Sequence, residues 1–431
     1  MALTLILCGL TVALMIFSVF YIPVIRIGRF QMGGYCFFAV LGAIALLAAG
    51  CASPTGVLEG ILGASSVGPL KILVLFLSMT VFSIFLDELG FFRYLASVTL
   101  RRAGTSQKRL FFLLYVVVAV LTVFTSNDII ILTFTPFICA FSRRAGIRPL
   151  PYLFAEFLAA NTWSMVLMIG NPTNIYIASF LELGFFEYIG YMWAPTLAAG
   201  LVSLLILYLL FRRTLAEPIT CDSVEVQPVS ERPLVTVGLI HLGICILLLS
   251  ISSYIGLEMW WISLGLAISL FICVLIYRRT RRERPVILWR TVKRMPWELV
   301  PFMLSMFILV ISLNENGVCD YIAAFLSAGP HPLSFGLASF FSANLINNIP
   351  MSVLFAGLAE QAGTMAAAYA SIIGSNLGAC LTPVGALAGI MWADILRRER
   401  VAFDLRDFIR IGSSVSIPSL LAAIGLLSLF V

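Results

Sequence analysis

The sequence predicts an all-α polytopic membrane protein: ten transmembrane crossings plus two re-entrant hairpins, arranged as two inverted repeats. Three observations carry this. Of the 431 residues, 61% are hydrophobic and only 11% charged, more apolar surface than a water-soluble core can hide. Runs such as Thr4 to Ile22 and Ser419 to Val431 hold no charge, and a spanning helix needs ~20 apolar residues. The basic residues sit in short clusters between such runs. The formal charge of +6 therefore belongs to membrane loops and indicates no nucleic-acid partner.

Apolar runs set against helix breakers place crossings near 4–22, 34–50, 70–87, 150–180, 190–211, 234–253, 257–277, 298–313, 364–393 and 411–431. The first lacks a basic leader and a small-residue cleavage site and reads as a retained helix. Two further apolar regions, 110–141 and 332–359, are interrupted by Ser126-Asn127-Asp128 and Asn347-Asn348-Ile349-Pro350. Each leg reads as about 9 to 15 residues, too short at 1.5 Å per residue to cross ~30 Å of hydrocarbon, so both regions are expected to be re-entrant.

Charge placement orients the chain. With both termini outside, 26 of the 27 Lys and Arg fall on the cytoplasmic side, from Arg26 and Arg29 to Arg397–Arg410, and only Lys71 dissents. Outer loops carry Glu59, Glu182, Glu187, Glu258, Glu315, Asp320 and Glu360. The expected location is a bacterial or archaeal plasma membrane.

Residues Pro69–Ala96 align without a gap on Pro296–Ala323, matching at ten positions that include Ser78 with Ser305, Glu88 with Glu315 and Gly90 with Gly317. Further on, Asn127 falls opposite Asn348, Asn161 opposite Asn376 and Gly170 opposite Gly385. The expected organisation is a first repeat over 1–214 (hairpin 110–141, broken helix 150–180), a cytoplasmic linker over 215–233, and a second repeat over 234–431 (hairpin 332–359, broken helix 364–393). Five crossings per half would invert the second, as in secondary transporters that alternate between two states.

Polar residues interrupt apolar helix at four places: the two hairpin tips, Thr125–Ile129 and Ile346–Pro350, and the breaks Met168–Asn174 and Gly374–Gly385. Unpaired backbone at membrane depth is tolerated only inside protein or beside a cavity, and half-helix ends there can face a solute. The expected substrate-binding residues are Ser126, Asn127, Asn171, Thr173, Asn174, Asn347, Asn348, Ser375, Asn376, Thr382 and Gly385. Close packing and interhelical hydrogen bonding are the alternative role for each. Asp128 is the expected proton-coupling residue, because a carboxylate near the bilayer centre is costly and marks an ion or proton path. Glu156 is expected to pair with Arg143, Arg144 or Arg148, and Asp87-Glu88 to be a capped or solvated helix end. His241 and His331 read as packing residues and Cys380 as a small filler. The nine cysteines are scattered without metal spacing. No Walker A, GxSxG or HExxH pattern occurs, so no enzyme activity, cofactor or metal is expected.

The segments Phe85–Ala96, Ser126–Phe137, Pro296–Ala323, Asn347–Pro350 and Ile372–Trp392 resemble the arsenite efflux permease family, within a superfamily of sodium/proton antiporters and di- and tricarboxylate carriers. The resemblance implies a homodimer, a scaffold and a transport domain in each protomer, and elevator-type movement of hairpins and broken helices. A cytoplasmic ATPase partner is left open. Asp128 stands where sodium-coupled carboxylate carriers have Thr, which favours a proton over sodium as coupling ion. The expected function is proton-coupled efflux of a small oxyacid such as arsenite or antimonite; the alternatives are an organic or inorganic anion carrier and a sodium/proton antiporter.

Overall fold

The computed structural model describes residues 1–22, 24–27, 30–62, 69–219, 228–229 and 231–431. Arg29, Cys221 and residues 220–227 and 230 of the expected linker lie outside the described residues.

The first half runs α1 (Ala2–Tyr21), β1 (Val24–Ile27), β2 (Phe30–Gly33), α2 (Gly34–Ala48), α3 (Pro54–Leu62), α4 (Pro69–Glu88), α5 (Phe91–Ala103), α6 (Gln107–Phe124), α7 (Asn127–Ala145), α8 (Leu150–Trp163), a 3-10 turn (Met168–Gly170), α9 (Pro172–Phe180) and α10 (Phe185–Phe211). The second runs α11 (Arg232–Ser250), α12 (Ser252–Ile255), α13 (Met259–Thr280), α14 (Val286–Arg294), α15 (Leu299–Glu315), α16 (Val318–Ser327), α17 (His331–Ile346), α18 (Asn348–Ala362), α19 (Met365–Gly378), a 3-10 turn (Pro383–Gly385), α20 (Leu387–Arg398) and α21 (Leu405–Leu427). Among the described residues, seven helical stretches are long and apolar enough to span a membrane: α4, α6, α10, α11, α13, the Val286–Glu315 stretch and α21.

Two expectations need correction. The chain is not all-α, because β1 and β2 form an antiparallel ribbon with Ile25 opposite Met32; β-branched Val24 and Ile25 suit the pleated strand. The legs of the first hairpin are also longer than expected, 18 residues in α6 and 19 in α7. They wind on through polar ends, Gln107–Arg109 and Ser142–Arg144, so α6 alone extends ~27 Å. The second hairpin keeps shorter legs, 16 residues in α17 and 15 in α18.

The order helix, glycine turn, helix, polar break, helix recurs in both halves. Gly90 between α4 and α5 and Gly317 between α15 and α16 both lie in the left-handed region, at φ +79° and +70°, where a side chain would be strained. Packing is reciprocal: α4 lies on α13 and α15 on α2, while α7 meets α20 and α18 meets α9. Helices α1, α2, α4, α11, α13, α14 and α15 form one packed group, and α6–α10 with α17–α21 another. The tightest approach is in the second group. A Cβ on Gly374 of α19 would stand 1.9 Å from Ser339 Oγ and 2.4 Å from the Gly336 carbonyl oxygen of α17.

Polar links join the groups and halves. Lys71, the one basic residue assigned outside, pairs with Glu258 at 2.9 Å. Asp87 and Glu88 are not a solvated helix end: Arg294 of α14 bonds Asp87 at 2.8 Å and Glu88 at 2.6 Å, and Thr133 of α7 donates to Asp87 at 2.8 Å. Sequence could not show this, since Arg294 comes from the other half. Arg294→Ala is expected to cost only about 1 kcal/mol, because the guanidinium is partly exposed and screened, and the loss should shrink with added salt in thermal unfolding of detergent-solubilised protein.

Candidate functional site

Both broken helices stop the same way. After α8 the chain turns through Ser164–Leu167, makes one 3-10 turn and restarts at α9; after α19 it turns through Ala379–Thr382, makes one 3-10 turn and restarts at α20. The residue before each restart is extended, Asn171 at φ −148° and Ala386 at φ −147°. Gly170 and Gly385 allow the folded-back backbone to close: a Cβ would stand 2.4 Å from the Ser164 carbonyl oxygen at the first and 2.8 Å from Asn344 Oδ1 at the second.

Most of the expected binding residues are occupied with holding these breaks. Asn376 of α19 reaches into the first break, its Oδ1 accepting from Asn171 Nδ2 at 2.8 Å and Ser164 Oγ at 3.0 Å and its Nδ2 donating to Asn174 Oδ1 at 2.6 Å. Asn174 donates in turn to the Ser164 carbonyl oxygen at 2.8 Å, and Thr173 Oγ1 lies 3.4 Å from Asn174 Oδ1. All five residues are buried. In the second break, Asn344 accepts from both the backbone N–H (3.1 Å) and the hydroxyl (2.7 Å) of Thr382 and donates to the Gly378 carbonyl at 2.9 Å. Asn344, Asn161 and Ser164 were absent from the expected set. Asn344 left a signal, an amide on an apolar helix one turn before its polar tip.

The hairpin tips are tied to the breaks. Asn127 donates to Asn161 Oδ1 at 3.1 Å and accepts from the Asp128 N–H at 2.9 Å. Asn347 adopts φ +70° and donates to the Val384 carbonyl at 3.0 Å. Three expected residues keep an unused buried oxygen: Ser126 Oγ, Asn348 Oδ1 and Ser375 Oγ. The Asp128 side chain, half-buried on the first turn of α7, has no ion-pair or hydrogen-bond partner among the described residues.

A cavity lies at each junction of tip and break. The first is a narrow space, about 10 Å³, lined by Phe76, Met79, Thr80, Ser83, Thr125, Ser126, Ile169 and Pro172. The second, about 20 Å³, includes Tyr35, Phe302, Ile346, Asn347, Val384 and Leu387. Ile169 and Pro172 occupy the same places in the first break as Val384 and Leu387 in the second. Among the described residues, no Lys or Arg lines either cavity. The first is the more polar: Thr80 and Thr125 spend their protons on the Phe76 and Leu121 carbonyls, at 2.9 and 2.7 Å, which leaves their hydroxyl oxygens as acceptors facing the space.

His241 bonds the Val237 carbonyl at 2.8 Å and Ser269 Oγ at 3.2 Å within the packed helices, and His331 bonds Thr364 Oγ1 at 2.6 Å. Glu156 has no ion pair among the described residues. It is fully buried and accepts from the Thr135 hydroxyl, while Arg143 is bound to Glu399 at 3.0 Å.

The solved structure of the Alcanivorax borkumensis YdaH transporter is similar over 100% of this chain and 97% of its own, with a TM-score of 0.59 at 15% identity, and so shares the fold. An arsenical pump membrane protein of Escherichia coli is 28% identical over 371 residues, 82% of this chain and 85% of that protein. A 46 kDa membrane protein of Mycobacterium leprae is 26% identical over 371 residues, 82% of this chain and 84% of that protein. The citrate transporter family model matches residues 34–374, which include the first cavity and both hairpins; this chain is an integral membrane transporter that belongs to the citrate transporter (CitMHS) family.

Proposed function

We propose that the chain is a proton-coupled secondary transporter that exports a small uncharged oxyacid of the arsenite or antimonite type. The observation that carries this is the lining of the first cavity, with hydroxyl acceptors from Thr80 and Thr125, the unused Ser126 hydroxyl and no cation among the described residues. A trihydroxide at neutral pH brings its own O–H donors to such acceptors and needs no counter-charge. A multiply charged carboxylate offers only acceptors and would be desolvated without compensation. The arsenical pump relatives support the same cargo.

Asp128 is the coupling carboxyl in this reading. It stands beside Ser126 at the tip, free, among the described residues, of any cation that would hold it permanently ionised, so protonation can alternate with the state of the cavity. The two packed groups support a moving domain, α6–α10 with α17–α21, carried against α1, α2, α4, α11, α13, α14 and α15 as an elevator. Reciprocal packing supports inverted repeats and hence two exchangeable states. A homodimer is proposed on the resemblance alone.

A second reading, an anion carrier, is favoured by one feature: α20 starts at Ala386 without a side-chain cap, so its N-terminal N–H groups are available beside the second cavity. Everted vesicles distinguish the two. Arsenite uptake driven by an imposed pH gradient is expected in wild type, and Asp128→Asn should lower it about tenfold or more, the equivalent of at least ~1.4 kcal/mol. Uptake indifferent to both the gradient and the substitution overturns proton coupling, and gradient-driven uptake of citrate without arsenite overturns the cargo.

A further inference from the structure

The second carboxyl inside the membrane-embedded body, Glu156, is not used by the mechanism above. It lies on α8 where α7 and α20 meet, and none of its surface reaches solvent. Its two oxygens share one donor, Thr135 Oγ1 of α7, at 2.8 and 3.1 Å. The Trp392 indole N–H of α20 lies within polar reach of the same carboxyl without closing a hydrogen bond, and it has no other acceptor. The shell is otherwise aromatic: Trp392 packs on Phe154 and Phe157 at 5.5 and 5.2 Å between ring centroids, and on Phe408 at 5.5 Å.

Charge around the group is sparse. On α7, Cys139 stands one turn beyond Thr135 within electrostatic reach of Glu156, and Arg143, a further turn along, is held by the Glu399 carboxylate and carbonyl at 3.0 and 2.6 Å. On α8, Tyr152 sits one turn earlier and donates to Gln107 at 2.8 Å. On α20, Asp394 faces outward and is paired with Arg398. No cation among the described residues therefore neutralises Glu156, and an ionised carboxylate in that shell is strongly disfavoured. A metal cation is no better served, since Thr135 supplies the one side-chain oxygen bonded to the carboxyl and rings fill much of the rest. The proton is the ligand that fits.

We propose that Glu156 is a second proton-binding site of this transporter, separate from Asp128, neutral in this conformation and exchanging its proton with cytoplasmic water when α7 shifts against α20. The exchange breaks and forms only the Glu156 O–H bond. The position suits such a step, because Glu156 lies where the exit leg of the first hairpin packs on the broken helix of the second half. The proposal rests on the transporter reading but not on its cargo.

The test is infrared spectroscopy of the purified full-length protein in lipid, in H₂O and D₂O, across a pH series. In the Asp128→Asn background, which removes the other unpaired carboxyl, one carboxylic-acid carbonyl band is expected at neutral pH, lost on adding Glu156→Gln and lost as the pH is raised into the alkaline range. A band unaffected by Glu156→Gln, or one persisting to the highest pH at which the protein stays folded, overturns the proposal; the latter marks a permanent hydrogen bond. If Glu156→Gln does not fold, Thr135→Val provides the check. Removing the hydroxyl donor should shift the same band to higher frequency, and an unmoved band also overturns the assignment. Failure of Asp128→Asn to affect transport would count against the coupling reading and leave this band untouched.

Discussion

Replacing Asn376 with alanine is expected to lower stability by about 3 kcal/mol, because unsatisfied buried polar groups cost ~1–3 kcal/mol each. The substitution strips the Asn171 amide of its acceptor, takes the 2.6 Å donor from Asn174 and removes one of the two acceptors of Ser164. None of these residues can turn to water, since all are buried. Thermal unfolding in detergent should show the loss directly. Transport should fall further than stability, because the same amide joins the second half's α19 to the first half's break. Asn376→Asp separates the two roles of the side chain: a carboxylate can still accept from Asn171 and Ser164 but cannot donate to Asn174. An Asn376→Ala protein as stable as wild type would show that the break is held by packing instead.

Gly374→Ala is expected to have an effect of similar size through a different cause. The new methyl group would meet Ser339 Oγ at 1.9 Å, the Gly336 carbonyl oxygen at 2.4 Å and the Phe340 amide nitrogen at 2.9 Å. Two of those atoms are backbone, so α17 and α19 must separate, at a cost of about 3 kcal/mol for overpacking. Small residues at membrane helix crossings permit such close approach. Gly378 repeats the pattern one turn on, where a Cβ would stand 2.4 Å from the Phe340 carbonyl oxygen. Gly357→Ala and Gly425→Ala are the controls: nothing lies within 4 Å of either added methyl, and both should leave the melting temperature within the shift that about 1 kcal/mol produces. Because α17 is the entry leg of the second hairpin, a displaced α17 should also disturb the second cavity, measured as altered labelling of a cysteine placed at Leu345.

That four polar breaks interrupt the helices was legible in sequence because each is a local event: Gly, Pro, Asn and Ser interrupt an apolar run, and backbone at membrane depth leaves few outcomes; their bounds shifted, since α8 already ends at Trp163 before the expected Met168 and α19 stays helical through Gly374–Gly378. The glycine turns were legible too, through the match of Gly90 with Gly317. Leg lengths of the first hairpin were not. Hydropathy fades at Lys108 and Arg143 while the hydrogen-bonded helix continues through them, since basic side chains can reach the interface without unwinding it.

Side-chain assignments divide on the same principle. That Asn127, Asn347 and Thr382 belong to tips and breaks follows from neighbours in the chain. That Asn376 clasps Asn171 and Asn174, or that Arg294 neutralises Asp87, depends on residues about 200 positions apart, and no local periodicity records such a pairing. Glu156 shows this most clearly. Its sequence neighbourhood holds Arg143, Arg144 and Arg148, and electrostatics alone would pair them. In the folded chain the α7–α20 contact closes over the carboxyl, and the arginine that could have reached it binds Glu399 instead. Amino-acid order by itself determined that this is a membrane transporter with polar breaks at repeated positions, because hydropathy and helix-breaking act along the chain. Which polar atoms are consumed in holding the breaks, and which remain for a solute or a proton, was decided only by tertiary structure, because hydrogen bonding and desolvation depend on the neighbours that packing supplies.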